Sequence, residues 1–142
     1  MDLVDVNVLV YAYSRQAPRH EEYRSWLVQA LEGPAAFGYS EVALSGFLRV
    51  VTHPKVFDPP SALDQALSFC EVVRSRPNAV RVAPGDRHWG IFVALCNGGA
   101  VKGNLVPDAY HAALAIESGN EWVTTDKGFA RFPGLRWRHP LD

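Results

Sequence analysis

Four acidic residues occupy positions where chemistry is more economical than packing. Asp5 sits inside the apolar run Leu3–Val10, with Asn7 two residues on. Glu41 follows Ser40, Asp108 follows Pro107, and Asp126 follows the run Trp122–Thr125. An ionised carboxylate among valines and leucines is costly unless it is paired or bound to a metal. No Lys or Arg lies near Asp5 in sequence to pair with it. Taken singly, the other three have plainer roles. Glu41 and Asp108 would complement helix N-termini, worth about 0.3–1 kcal/mol each, and Asp126-Lys127-Gly128 would make a turn. Brought together, four carboxylates would repel one another and their pKa values would rise. A divalent cation resolves that conflict. Oxygen-only ligands suit Mg²⁺ or Mn²⁺, and Mg²⁺ characteristically keeps waters and binds phosphate. Such a site can activate water and steady an in-line displacement at phosphorus.

The elements that would position these acids alternate in type. Residues 1–13 read as a buried strand running into a helix, with the strand over 2–6. A helix starts at Pro18 and carries Tyr23, Trp26, Leu27, Ala30 and Leu31 on one face, until Gly33-Pro34 stops it. Residues 35–38 form a short strand. A helix from Ser40 runs to His53-Pro54. Ser61 to Asp64 resembles a capping box opening a helix to about Arg76. A strand over 79–82, a helix over 86–96 and a glycine-rich loop over 98–106 follow. Pro107 opens a further helix that Gly119-Asn120 ends. Strands over 122–125 and 135–138 complete the chain. This alternation predicts an α/β fold around a mainly parallel sheet. Ligands in such folds gather at the carboxyl ends of the strands. All four acids fall at strand ends or helix starts.

Composition bounds the function. The 142 residues are read as one domain, and 48% hydrophobic with 20% charged residues suits a globular chain. No apolar run reaches the roughly 18 residues of a membrane helix. No signal peptide is evident, so a cytoplasmic location is expected. Cys70 and Cys96 lack metal or redox spacing and are expected to be buried free thiols. The net charge of −1 gives no general preference for nucleic acid. Setting the four acids aside leaves 14 basic against 11 acidic side chains, a mildly basic surround for an acidic centre.

The strings Val4-Asp5-Val6-Asn7-Val8-Leu9, Ser40-Glu41-Val42, Asn104-Leu-Val-Pro-Asp108-Ala and Val123-Thr-Thr-Asp126-Lys-Gly-Phe129 resemble, in order, the four acidic motifs of PIN-domain ribonucleases. Gly46–Thr52, Gly103–Asp108 and Phe129–Trp137 are similar to VapBC toxins of a subgroup common in mycobacteria. The resemblance implies a three-layer α/β/α PIN-like domain and a Mg²⁺- or Mn²⁺-dependent endoribonuclease. It would leave 5′-phosphate and 3′-hydroxyl ends. Asp5 and Asp108 would hold the principal ion, Glu41 would share it or hold its water, and Asp126 would complete the site or help a second ion. Asn7 and Thr124 would order water or the ligands. The resemblance also implies a homodimer, inhibition by a VapB-type antitoxin in a heterotetramer or larger complex, and structured RNA such as tRNA or rRNA as target. The third motif more often carries Thr or Ser where this chain has Pro107.

RNA needs positive ground beside such a centre. Lys102, Lys127 and Arg131 are the foremost candidates, with Arg49, Arg136 and Arg138 behind them. Trp89 and Tyr110 could stack on bases, although core packing is the stronger expectation for Trp89. His111 is expected to be structural or to face RNA. Two rival functions remain. A haloacid-dehalogenase-type phosphatase would want a second Asp where Asn7 stands. A catalytically inactive PIN-fold binding module would not need four acids.

Overall fold

The computed structural model describes residues 1–142, and its framework is a five-stranded parallel sheet. The strands are β1 (Asp2–Val4), β2 (Phe37–Tyr39), β3 (Ala79–Arg81), β4 (Glu121–Val123) and β5 (Trp137–Arg138). Their order is β3-β2-β1-β4-β5, every neighbouring pair parallel. The first strand is therefore central, and the order reverses direction on either side of it. In such sheets that switch point is where ligands bind.

Helices cover both faces. They are α1 (Val6–Tyr13), α2 (His20–Glu32), α3 (Glu41–Val51), α4 (Leu63–Ser75), α5 (His88–Gly98) and α6 (Leu105–Ser118). Alternation along the strands divides the core between them. Val4 and Val123 point into a cluster with Val8, Leu9, Leu27, Phe47 and Val73, drawn from α1 to α4. Leu3 and Trp122 point into a second cluster with Leu95, Ala112, Ala113, Leu114 and Phe129. The result is the α/β/α sandwich expected from the sequence.

Several boundaries differ from expectation, each for a local reason. The first strand ends at Val4, not at residue 6, and Asp5 is the N-cap of α1, accepting a hydrogen bond from Val6 N–H. A short apolar run does not distinguish buried strand from buried helix. Helix α2 begins at His20 rather than Pro18, behind Arg19 in the left-handed region at φ 57°. The capping box at Ser61 does not form. Ala62 is the cap, and the Ser61 hydroxyl instead meets Tyr13 Oη at 2.6 Å. Helix α5 runs two residues later than expected, and α6 starts at Leu105 inside the expected loop. Pro107 is thus the third helical residue, still within the turn whose N–H groups need no helical partner. Strand β2 ends one residue later than expected, β4 ends at Val123 and β5 is only two residues long. Cys70 is buried, but Cys96 is only half-buried, and both are free. No helix is long and apolar enough to cross a membrane.

Candidate active site

Asp5, Asp108 and Asp126 line one cleft of about 810 Å³ at the carboxyl end of the central strands. Each arrives by a different local device. Strand β1 carries Asp5 to the sheet edge, where its backbone N–H still donates to Val123 O at 2.9 Å. Its carboxylate accepts from Val6 N at 2.6 Å, Thr124 Oγ1 at 2.6 Å and Asn7 Nδ2 at 3.1 Å. Those bonds leave the group in one orientation.

Asn7 and Thr124 knit the first and fourth motifs together. Asn7 lies in the first turn of α1, where its Oδ1 accepts from Thr125 N at 3.2 Å. The Thr124 hydroxyl donates its one proton to Asp5 and accepts from Asp126 N at 3.0 Å. Asp126 in turn caps the short 3₁₀ helix Lys127–Arg131, its Oδ1 accepting from Gly128 N at 2.7 Å. Asp108 comes from the first turn of α6.

The electrostatics follow from this placement. Burial pushes the Asp5 carboxyl up to about 6, the charges of Asp108 and Asp126 add to the shift, and the bonds from Thr124 and Val6 oppose it. Burial also raises Asp108, reinforced by Asp126 and opposed by Arg131. Desolvation and mutual repulsion therefore both disfavour a third and second negative charge here. His111, one helical turn after Asp108, also lines the cleft. Burial holds its imidazole down at about 4, so the ring is neutral. It stacks on Trp122 with centroids 5.2 Å apart, and its Nδ1 has no partner.

Glu41 does not join the other three. Its carboxylate is exposed, with Oε1 2.8 Å from Arg81 Nη1 and Oε2 3.6 Å from Arg74 Nη2. Helix α3 presents Val42, Ser45, Gly46 and Arg49 to the cleft instead. As arranged, no three His, Cys, Asp or Glu side chains close into a ready metal cage. A hard divalent cation nonetheless suits the donors present. They are all carboxylate oxygens, one of them raised chiefly by its own burial and further by the charges of Asp108 and Asp126, a cost that a bound cation would relieve. Mg²⁺ asks for only one or two protein carboxylates and keeps waters elsewhere.

Of the basic residues, Arg49 alone lines the cleft. Lys102, Lys127 and Arg131 are exposed outside it. Arg136 and Arg138 are engaged elsewhere. Arg136 donates to Gly119 O at 2.7 Å, and Arg138 bridges Asp2 and, at 2.8 Å, Glu121. Trp89 is not a core residue, being 67% exposed against Phe92. Ser45 is a lining residue that no sequence signal singled out, and Asn104 was visible only as the start of the third motif.

The PIN-domain family model matches residues 3–135, which include Asp5, Glu41, Asp108 and Asp126. Over 139 residues the chain is 42% identical to a VapC ribonuclease of Mycobacterium bovis, covering 98% of this chain and 95% of that one. It is equally similar, over the same shares, to ribonuclease VapC43 of Mycobacterium tuberculosis. This chain belongs to the VapC ribonuclease branch of the PIN-domain family. Its fold is similar to that of VapBC-1 from nontypeable Haemophilus influenzae, with a TM-score of 0.71 at 16% identity, covering 99% and 98% of the two chains.

Proposed function

We propose that this chain is a divalent-metal-dependent endoribonuclease and the toxin of a VapBC pair, inhibited by a VapB-type antitoxin and directed at structured RNA. The observation that carries the reading is Asp5. It is a buried carboxylate, fixed by hydrogen bonds from Val6, Asn7 and Thr124 and turned toward two further acids in an open cleft. Its capping of α1 uses part of that carboxylate, and no Lys or Arg lies within ion-pair distance to offset its buried charge.

Asp5 and Asp108 would hold Mg²⁺ or Mn²⁺, with Asp126 completing the site. When bound, the ion supplies positive charge for the developing phosphorane and acidifies water to serve as nucleophile. The chain's own contribution is to fix the acids and to hold the scissile phosphate. Thr124 and Asn7 keep Asp5 in its orientation, as hydrogen-bonded supports of ligands do elsewhere. Arg49 lines the same cleft as the acids and suits a phosphate oxygen. Glu41 remains the fourth acid of the proposal. Its exposed ion pairs with Arg81 and Arg74 are of a kind worth about 0–1 kcal/mol, so rotation toward the cleft is inexpensive. His111, neutral and enclosed, is not needed as a base.

The test is cleavage of total RNA by the purified chain, with Mg²⁺ varied. Wild type should cut only with the metal and should melt at higher temperature when Mg²⁺ is added. Asp5→Ala and Asp108→Asn should lose both responses. Normal cleavage by Asp5→Ala would overturn the assignment. A well-folded wild type with neither response would identify an inactive PIN-fold module.

A further inference from the structure

The acidic cleft continues past its carboxylates. Val10 and Tyr11 of α1, Val50 of α3, and Val56 and Phe57 of the loop after α3 line the same space as Asp5, Asp108 and Asp126. We propose that this apolar end of the cleft is a subsite in which one unstacked nucleobase of the RNA packs against Tyr11, with Arg49 on a phosphate of the same strand. The inference rests on the nuclease reading and adds to it a place where a base beside the cut is sensed.

Position is the first argument. Helices α1 and α3 leave the carboxyl ends of two parallel strands, and they meet where Gly46 approaches Val6. One turn further along lie Val10 on α1 and Val50 on α3. At 1.5 Å per residue, Tyr11 is about 9 Å along α1 from Asp5. A base seated there belongs to a nucleotide beside the phosphate that the acids address. The second argument is the chemistry of the walls. Tyr11 is half-buried, backed by Tyr23 with ring centroids 5.2 Å apart, and its backbone O lies 2.9 Å from His20 Nδ1. The hydroxyls of Tyr13 and Tyr23 are engaged by Ser61 and His139, whereas no group of the chain bonds that of Tyr11. Sequence-tolerant binding of single-stranded RNA relies on stacking against such a fixed ring. Arg49 precedes Val50 and has no acidic partner within ion-pair distance, so an anion is matched beside the apolar wall. A nucleotide carries a flat ring and an anion together. Preorganisation is the third argument. Val56 is 54% exposed, yet its loop is fastened. Val56 N and Phe57 N donate to His53 O at 3.0 and 3.1 Å. The Gln16 side chain accepts from Asp58 N at 3.2 Å and donates to Pro59 O at 3.0 Å. The wall is thus in place before RNA arrives, which lowers the ordering cost of binding.

The experiment compares ligands that differ only in the base. AMP, GMP, CMP, UMP and ribose 5-phosphate are each titrated into the full chain with Mg²⁺ present, and methyl and aromatic NMR signals are followed. At least one nucleotide should bind about tenfold more tightly than ribose 5-phosphate, the size of one stacking contact, and should shift the signals of Tyr11, Val56 and Phe57. Tyr11→Leu should remove that increment and Tyr11→Phe should keep it, because the ring and not the hydroxyl carries the stacking. Val56→Ser alters an exposed wall residue and should lower the increment, which keeps the test open if Tyr11→Leu does not fold. Mg²⁺-induced stabilisation should match wild type in every folded variant. Equal binding of all five ligands, with Mg²⁺ stabilisation intact, would overturn the subsite and spare the nuclease reading. An increment that survives in both Tyr11→Leu and Val56→Ser would place the base elsewhere and overturn it as well. No phosphate binding and no Mg²⁺ response in wild type would sink both.

Discussion

Asp5 and His111 line the same cleft and titrate in opposite senses. Asp5 moves from an ordinary 3.8 to about 6 on folding, so the folded state holds its proton more tightly. Its contribution to stability is complete below pH 3.8 and is lost as pH rises through about 6, a change on the order of 3 kcal/mol. His111 moves from 6.5 to about 4, so its contribution is complete above pH 6.5 and is lost as pH falls through about 4. Between these limits the two slopes oppose each other. Denaturant unfolding of the metal-free wild type in EDTA should therefore vary little from pH 4 to 6.5. Asp5→Asn should unmask the histidine slope, gaining stability steadily over that range. Parallel profiles for the two proteins would show that Asp5 titrates normally. Thr124 supplies a second prediction at this scale. Thr124→Val removes the hydroxyl that donates to Asp5 and accepts from Asp126 N. The buried acceptor and donor left behind cost about 1–3 kcal/mol, and metal affinity should drop about 10- to 100-fold, as for other lost supports of ligands. Calorimetry should find Thr124→Ser close to wild type on both measures.

At the level of elements, the cleft depends on how closely α1 approaches α3. A Cβ on Gly46 would lie 2.9 Å from Val6 Cγ2. Val6 is β-branched and stiff at χ1, so it yields poorly. Gly46→Ala should cost about 1–3 kcal/mol by overpacking and displace α1, with it Asn7, lowering activity as well. Adding Val6→Ala should recover most of the melting temperature, and failure to do so would refute the contact as the cause. This contact also marks what a sequence can reveal. Alternating apolar runs gave the strand and helix types, and the acids betrayed themselves by standing where burial disfavours charge. Helix α1 was hard to delimit because Val4 to Val10 is too short and too uniformly apolar to favour one period. Glu41 illustrates a different limit. Its place at the start of α3 was legible, but the partner of a long exposed side chain depends on Arg74 and Arg81, which lie on α4 and β3. Trp89 was misplaced because a mostly apolar helix of eleven residues does not announce which face stays uncovered.

For the whole molecule, a net charge of −1 means that RNA affinity cannot come from an overall field. It has to come from cations placed around the acidic cleft. The structure sorts the arginines for this purpose. Arg138 ties β1 to β4 and β5 through Asp2 and Glu121 and is spent on the fold. Arg49 lines the cleft with no acidic partner within ion-pair distance, while Lys102, Lys127 and Arg131 are exposed outside it. Each phosphate contact with single-stranded RNA contributes about 0.7 to the slope of log affinity against log salt. Arg49→Gln, Lys102→Gln and Lys127→Gln should each flatten that slope by roughly this amount if the side chain meets a phosphate. Arg138→Gln should leave the slope alone and lower the melting temperature instead, because it strips a partly buried cation from two carboxylates. The measurement is oligoribonucleotide binding across a salt series with Ca²⁺ in place of Mg²⁺ to limit cleavage. A slope that changes with Arg138 and not with Arg49 would mean that RNA approaches the far edge of the sheet, away from the acids, and would separate binding from the proposed chemistry.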